Sequence, residues 1–482
     1  MIASADELAY ASVKELRELV ESRQVTVEEL VRTSIDRIAR LNPALNAVVA
    51  VRAEEAITEA RAADRVAADS RGPLHGVPFS VKDVTETLDL PTTYGSIAFR
   101  DNRTDFEAAI VSQLRSAGGI LVCKTTTPEL ACEPVTRSEL HGETRNPWSL
   151  DRTPGGSSGG AAAGLAAGLY TLAQGTDAGG SIRIPASCCG VVGIKPTRGL
   201  VSLEPAGPDT WGGFLHNGPL ARTVRDAAAM LDAMSAPSLP DRRTTTRSDR
   251  PFSAACGAPV PQLRIAYTQA VPGAAVDEDV AASFADALEI ARALGSELTE
   301  AAPDFRPLAE PFITIICVAF AGIGAEMTDE QLSQIGPKCL ALMKRGWAHT
   351  GAEYYNAQQA VHREASKVLN FWRDYDLLLT PTVPMVPPML KAFPSTEDHD
   401  AKWAEYGHWE TFTAPANVTG QPAISLPCRK PSSTGVPIGI QMIGRLGAEV
   451  EMLAFAAAYE AATGWSQRRP PLSERVEAPT GD

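Results

Sequence analysis

Two serine sites set among glycines stand out, Gly155-Gly156-Ser157-Ser158-Gly159-Gly160 and Ala178-Gly179-Gly180-Ser181, with Ser181 24 positions after Ser157. Glycine has no Cβ and tolerates backbone angles closed to other residues, so consecutive N–H groups can converge on one point beside a hydroxyl. A nucleophile and an oxyanion hole could thus be built from four adjacent residues, 178 to 181, which is the chemistry of acyl transfer. One such loop taken alone is usually a flexible linker. Here the apolar run Ala161 to Ala173 lies between two of them and reads as a buried helix, and helices do not usually join two flexible linkers.

A serine hydroxyl needs a base to take its proton. A lysine can serve only as the neutral amine, which burial favours by lowering its pKa from roughly 10.4. Lys82 lies in the β-rich, alternating stretch GVPFSVKDV, which delivers it on a strand. A strand lysine seen alone is usually a solvated side chain. The same residues admit other chemistries. GGSSG fits the G-x-S-x-G elbow of α/β-hydrolases, with Ser157 or Ser158 as nucleophile and one of seven histidines as base, but the elbow needs a preceding strand and DRTP is a turn. A phosphate-binding loop would need Gly-Lys-Ser/Thr after the glycines, and none follows.

TPGGSSGG followed by GTDAGGSIRIPASCCGVVGIKPTRG resembles the signature of the amidase signature family of serine hydrolases, nearly unbroken over 153 to 199. TFTAPANVTGQPAISLP at 411–427 and GVPIGIQMIG at 435–444 extend the resemblance, which covers about 70–225 and 408–445. It implies a Ser/cis-Ser/Lys triad with Ser181 as nucleophile, Ser157 as proton relay after a cis Gly156–Ser157 peptide, and Lys82 as base. It also implies an oxyanion hole from Ala178, Gly179, Gly180 and Ser181, with Ser158, Asp177 and Arg183 holding the loop. Thr127, Trp211 and Phe214 are expected to touch substrate, and substrate loops are expected at 211–217 and 381–388. Asp83 is expected to raise the Lys82 pKa against the effect of burial.

The implied fold is α/β, a mixed twisted sheet covered by helices on both faces. The chain is read as a single domain over 1–482, with a helical region at 1–68, the signature core at 70–225, an exposed connection at 235–262 and the rest of the sheet with substrate loops at 263–482. The implied activity is hydrolysis of small neutral amides or anilides without metal or cofactor, with carbamate or ester hydrolysis as the alternative. KTTTPELA, NPWSLDRTPGGSSGG and APANVTGQPAISLP look similar to bacterial amidases of broad scope, including aryl acylamidases, nylon-oligomer hydrolases and urethanases. The amidase-like subunit of a tRNA-dependent amidotransferase would share the triad, but its usual Asn-Met-Asp-Glu-Phe-like run is replaced here by Lys124-Thr125-Thr126-Thr127-Pro128-Glu129-Leu130.

Composition agrees. A net charge of −14 repels nucleic acid and anionic membranes, and no local basic patch offsets it. The eight cysteines show no CxxC and no metal spacing, and read as reduced packed thiols, including the adjacent Cys188 and Cys189. MIASADELAY has no signal-peptide pattern, and the apolar runs 161–173 and 312–325 are shorter than a membrane span. The expectation is a cytoplasmic monomer or homodimer.

Residues 6–68 read as helical, with Thr26-Val27-Glu28-Glu29 as a capping box opening a helix that ends before Asn42-Pro43, and a further helix in 52–68. A helix around 105–117, a strand at 120–124, strands at 263–267, 376–380 and 438–443, and an amphipathic helix at 277–294 give the alternation of a layered α/β sheet.

Overall fold

The computed structural model describes residues 4–207, 210–235, 250–270, 275–392 and 409–474. Its thirteen strands are β1 (Val48–Val51), β2 (Pro78–Lys82), β3 (Ile120–Thr125), β4 (Arg137–Ser138), β5 (Gly142–Glu143), β6 (Leu172–Asp177), β7 (Val192–Lys195), β8 (His216–Ala221), β9 (Arg264–Tyr267), β10 (Glu297–Glu300), β11 (Leu377–Pro381), β12 (Ala423–Pro427) and β13 (Gly439–Gly444). Eleven of them form one sheet in the order β1-β3-β2-β6-β8-β7-β12-β13-β11-β9-β10, and β4 and β5 make a separate hairpin. The sheet is mixed: β2 runs parallel to both β3 and β6, whereas β6, β8, β7, β12, β13 and β11 alternate in direction.

Strands buried on both faces need apolar residues on both faces, and β2, β3, β6, β7 and β12 are buried throughout. On one side, Phe79, Val81, Leu121, Ile194 and Leu426 join the helices Ala109–Ser116, Val224–Met234, Glu278–Ala293 and Glu449–Thr463. The other side is covered in two blocks. The helices Val27–Leu45 and Gly159–Ala166 pack over one half of the sheet, and Ala309–Ala325, Pro337–Trp347 and Gly351–Leu369 over the other. The expected α/β architecture, with helices on both faces, is the one found.

Local departures have physical causes. The capping box at Thr26 forms with Glu29, but its helix continues through Pro43 to Leu45. Pro43 has no N–H to give to the carbonyl four residues back, and the helix closes two residues after it. The turn is closed by Asn42, whose side chain accepts from the N–H of Ala47 and Val48 at 2.8 and 2.9 Å, while Asn46 takes a left-handed φ of 52°. The region 6–68 is not helical throughout: it includes β1, which extends the sheet by pairing antiparallel with β3. The run 161–173 is not one helix: the helix spans Gly159–Ala166, and Leu172 already begins β6.

Of the connection at 235–262, residues 236–249 lie outside the described residues. The remainder includes a short helix, Phe252–Ala255, whose Phe252 is buried against the core rather than exposed. The apolar run at 312–325 belongs to a longer helical stretch, Arg306–Ala325, which by length and composition alone could cross a membrane. Phe312, Ile315, Ile316, Cys317 and Phe320 are packed inside the protein, as in a core helix.

Candidate active site

The first loop, 153–158, and the second, 178–181, lie at adjoining ends of elements that the small-residue helix Gly159–Ala166 keeps close. That helix is buried along its whole length. The Ser158 N–H donates to the Ser181 carbonyl at 3.1 Å, tying the two loops together, and the Ser158 hydroxyl donates to the Thr176 carbonyl at 3.2 Å. The Gly156–Ser157 peptide is cis.

Lys82, at the end of β2, is fully buried, and its Nζ donates to Ser157 Oγ at 2.6 Å and to Thr176 Oγ1 at 2.8 Å. Its backbone is fixed by the Lys82 N–H donating to Gln174 Oε1 at 3.0 Å. Burial lowers the Lys82 pKa from 10.5 to about 7, and the nearby Asp177 charge works against the shift. The opposing charge is thus Asp177, not the Asp83 expected from the sequence. Asp83 instead turns away, accepting from the Thr93 N–H at 3.1 Å and from its hydroxyl, with Lys124 Nζ at 3.8 Å.

Asp177 and Arg183 bracket the second loop. Arg183 is fully buried and uses all five N–H groups: two to Asp177 at 2.8 and 2.9 Å, one each to Gln441 Oε1 and Asn417 Oδ1 at 2.6 Å, and one to the Thr413 carbonyl at 2.8 Å. Asp177 also accepts from the Ile182 N–H at 3.2 Å and from Asn417 Nδ2 at 2.9 Å. Burial alone would raise the Asp177 pKa, but the Arg183 charge and hydrogen bonds, with Asn417, hold the carboxyl well below the usual range. Between these anchors the N–H groups of 178 to 181 donate no hydrogen bond within the described chain. Gly180 has φ +142°, and a Cβ there would run into Thr413 Oγ1, so the loop's path requires glycine.

Ser157, Thr176, Ala178 and half-buried Ser181 open on one cavity of about 620 Å³. Trp211 forms part of its wall at φ 54°, with its ring 5.0 Å from that of Phe320. The other two expected substrate contacts are placed elsewhere. Phe214 is buried against Phe312, 5.4 Å between ring centroids, and Thr127 is buried in the loop after β3; neither lines the cavity. Of the expected loops, Trp211, Leu215 and Asn217 reach it, whereas 381–388 does not. The latter is used structurally, as where the Thr153 N–H donates to the Pro388 carbonyl at 3.0 Å.

Sequence reasoning gave no role to Thr176, Gln174, Asn417, Gln441 or Thr413. Asn417 and Gln441 stand in the two C-terminal stretches already singled out, and a buried polar residue amid APANVTG and GIQMIG was the available signal.

This sheet, with two glycine-set serines on one cavity and a buried lysine hydrogen-bonded to one of them, defines a hydrolase of the amidase signature type. The family model for amidases matches residues 29–453, and the chain belongs to that family, whose chemistry is hydrolysis of amide C–N bonds. It is similar to an acylamidase of Rhodococcus erythropolis, 34% identical over 468 residues that cover 96% of this chain and 98% of the relative. Among solved structures it resembles 6-aminohexanoate cyclic dimer hydrolase complexed with substrate, with TM-score 0.89 and 34% identity over 96% of this chain and 99% of that one. It also resembles a bacterial aryl acylamidase of the amidase signature family, with TM-score 0.85 and 27% identity over 98% of this chain and 99% of that one.

Proposed function

We propose that the protein cleaves small neutral amides or anilides through an acyl-enzyme on Ser181, with Ser157 as proton relay and Lys82 as base. The observation that carries this reading is the 2.6 Å contact between the buried Lys82 amine and Ser157 Oγ, in a position where the amine is neutral in about half the molecules near pH 7. Neutral Lys82 takes the Ser157 proton as Ser157 takes that of Ser181, and Ser181 Oγ bonds to the substrate carbonyl carbon. The oxyanion is received by the unused N–H groups of 178–181. As the C–N bond breaks, Ser157 returns a proton to the amine nitrogen and is itself reprotonated by Lys82. Water then releases the acid by the same relay run on the acyl ester.

The substrate class is supported by the cavity. Its wall is largely apolar, and the charged residues on it are Glu86, Glu204 and Glu326, with no lysine or arginine among the described lining residues. That disfavours an anionic acyl group. Carbamates and esters present the same carbonyl to Ser181 and are the alternative substrates. Site residues run from 82 to 441, so the chain is proposed to act as one catalytic unit. The eight unbridged cysteines support a reducing, cytoplasmic setting.

The test is kcat/KM against pH from 5 to 10 on a neutral anilide. Activity rises about tenfold per pH unit below pH 7 and levels above pH 8, since Lys82 must be unprotonated. A limb near pH 6 that survives Lys82→Ala would overturn the lysine base.

A further inference from the structure

Behind the nucleophile loop lies a second cavity, of about 690 Å³, walled by Phe305, Leu308, Phe312, Phe412, Pro415 and Val418. Three charged residues stand on its described wall. Asp304 and Arg306 neutralise each other at 2.8 Å, while the half-buried Glu410 carboxyl has no hydrogen-bond or ion-pair partner among the described residues. The carboxyl rests on the α-carbon of Gly179: a Cβ there would be 3.0 Å from Glu410 Oε2. The same turn is fastened to the loop, since Thr413 Oγ1 donates to the Gly179 carbonyl at 2.6 Å and the Thr413 N–H donates to the Glu410 carbonyl at 3.0 Å. A carboxyl left without partners against an apolar cavity lacks the cation or donor that would offset its desolvation.

We propose that this cavity is a second binding site, taking an amine cation with an apolar body, the ammonium on Glu410 and the body against the aromatic wall. It rests on the amidase reading in one respect: such an amine is what hydrolysis of an alkylamide releases, so the ligand is the reaction's own product. Because Glu410 bears on Gly179, an occupant is sensed at the oxyanion loop without entering the Ser181 cavity. The amine therefore slows turnover in a way that added substrate does not relieve. The groups facing Glu410 are Asp177 and Arg183 from the loop side and the Asp304–Arg306 pair across the cavity. Burial first, and the Asp177 charge second, push its carboxyl up to about 7, so binding strengthens as pH rises through 7 and persists while the amine stays protonated.

The experiment is calorimetric titration of 2-phenylethylamine into the full chain carrying Ser181→Ala at pH 8, with 2-phenylethanol as the uncharged counterpart. One site is expected, with the amine bound at least about tenfold more tightly than the alcohol, and that advantage lost in Ser181→Ala/Glu410→Gln. Wild-type protein whose Ser181 is capped by a serine-directed probe should bind the amine equally well. Unchanged binding in the Glu410→Gln background, equal binding of amine and alcohol, or loss of binding on capping would overturn the proposal. Should Glu410→Gln fail to fold, the amine-to-alcohol ratio on the Ser181→Ala chain at pH 6 and pH 8 decides: a ratio that does not rise with pH refutes it. Failure of the probe to label Ser181 would strike the acyl-enzyme reading instead, and the titration on uncapped protein would still decide this one.

Discussion

Burying Lys82 has a thermodynamic cost that can be read independently of catalysis. Its pKa is 10.5 when unperturbed and about 7 in the fold, so between those values the folded chain binds fewer protons than the unfolded one. Stability then rises with pH across that window, and the contribution is lost as pH falls towards 7. From these two values, keeping lysine at position 82 costs about 4 kcal/mol at pH 7 and about 2 kcal/mol at pH 9. Lys82→Met retains an unbranched chain of similar length without a titrating group. It forfeits the hydrogen bonds to Ser157 and Thr176, about 1 kcal/mol each, but that loss is the same at both pH values. Urea unfolding of wild type and Lys82→Met at pH 7, 8 and 9 isolates the difference, because every other titrating group is common to both. The variant should lose about 2 kcal/mol of its relative stability between pH 7 and 9. A difference constant to within about 0.5 kcal/mol would show that the folded lysine titrates normally, and would remove the physical basis for its role as base.

Three further outcomes follow from the site. Ser181→Ala should abolish covalent labelling by a serine-directed probe, and Ser157→Ala should slow labelling and turnover by about 10² or more, checked by intact-mass kinetics; label found on Ser157 or Ser158 would favour the elbow arrangement. Arg183→Lys cannot reproduce five N–H contacts and leaves Asp177 incompletely paired, so it should cost about 3 kcal/mol in denaturant unfolding, most of the loss remaining in Ser181→Ala protein. Gly180→Ala places a side chain at φ +142° against Thr413, and should cut the labelling rate by more than about tenfold while lowering stability by about 2 kcal/mol, measured by thermal unfolding.

The parts of the site legible in the sequence were those written as short-range chemistry. Glycines on either side of a serine announce a backbone that must turn sharply or be approached closely, and Gly180 does both. The strand carrying Lys82 was legible because its neighbours are β-branched and aromatic. What escaped was set by long-range packing. Asp83 is adjacent to Lys82 in sequence, yet alternation along a strand and the turn after it direct its carboxylate to Thr93, so the charge that reaches Lys82 comes from Asp177, 95 residues away. Phe214 and Trp211 are three residues apart with the same aromatic character. Only the left-handed turn at 211–212, with its φ values of 54° and 65°, sends one into the cavity wall and leaves the other in the core. The helix break within 161–173 was hidden because small apolar residues suit a tightly packed helix and a buried strand equally well.

The lysines show why composition and burial alone could not single out the proposed base. Three strand lysines are fully buried: Lys82, Lys124 and Lys195. Burial lowers the pKa of each, to about 7 for Lys82, to about 8 for Lys124 and well below the ordinary value for Lys195. A neutral amine is therefore available three times, and the difference lies in what each amine faces. Lys124 is turned to Thr92 and Asp83, and Lys195 donates to the Pro196 carbonyl at 2.9 Å, so neither has a hydroxyl leading to open space. Lys82 meets a serine that itself borders the cavity containing Ser181. On the proposed reading a desolvated amine becomes a usable base only where a hydroxyl leads from it to the cavity, and among these three lysines only Lys82 has such a hydroxyl, that of Ser157.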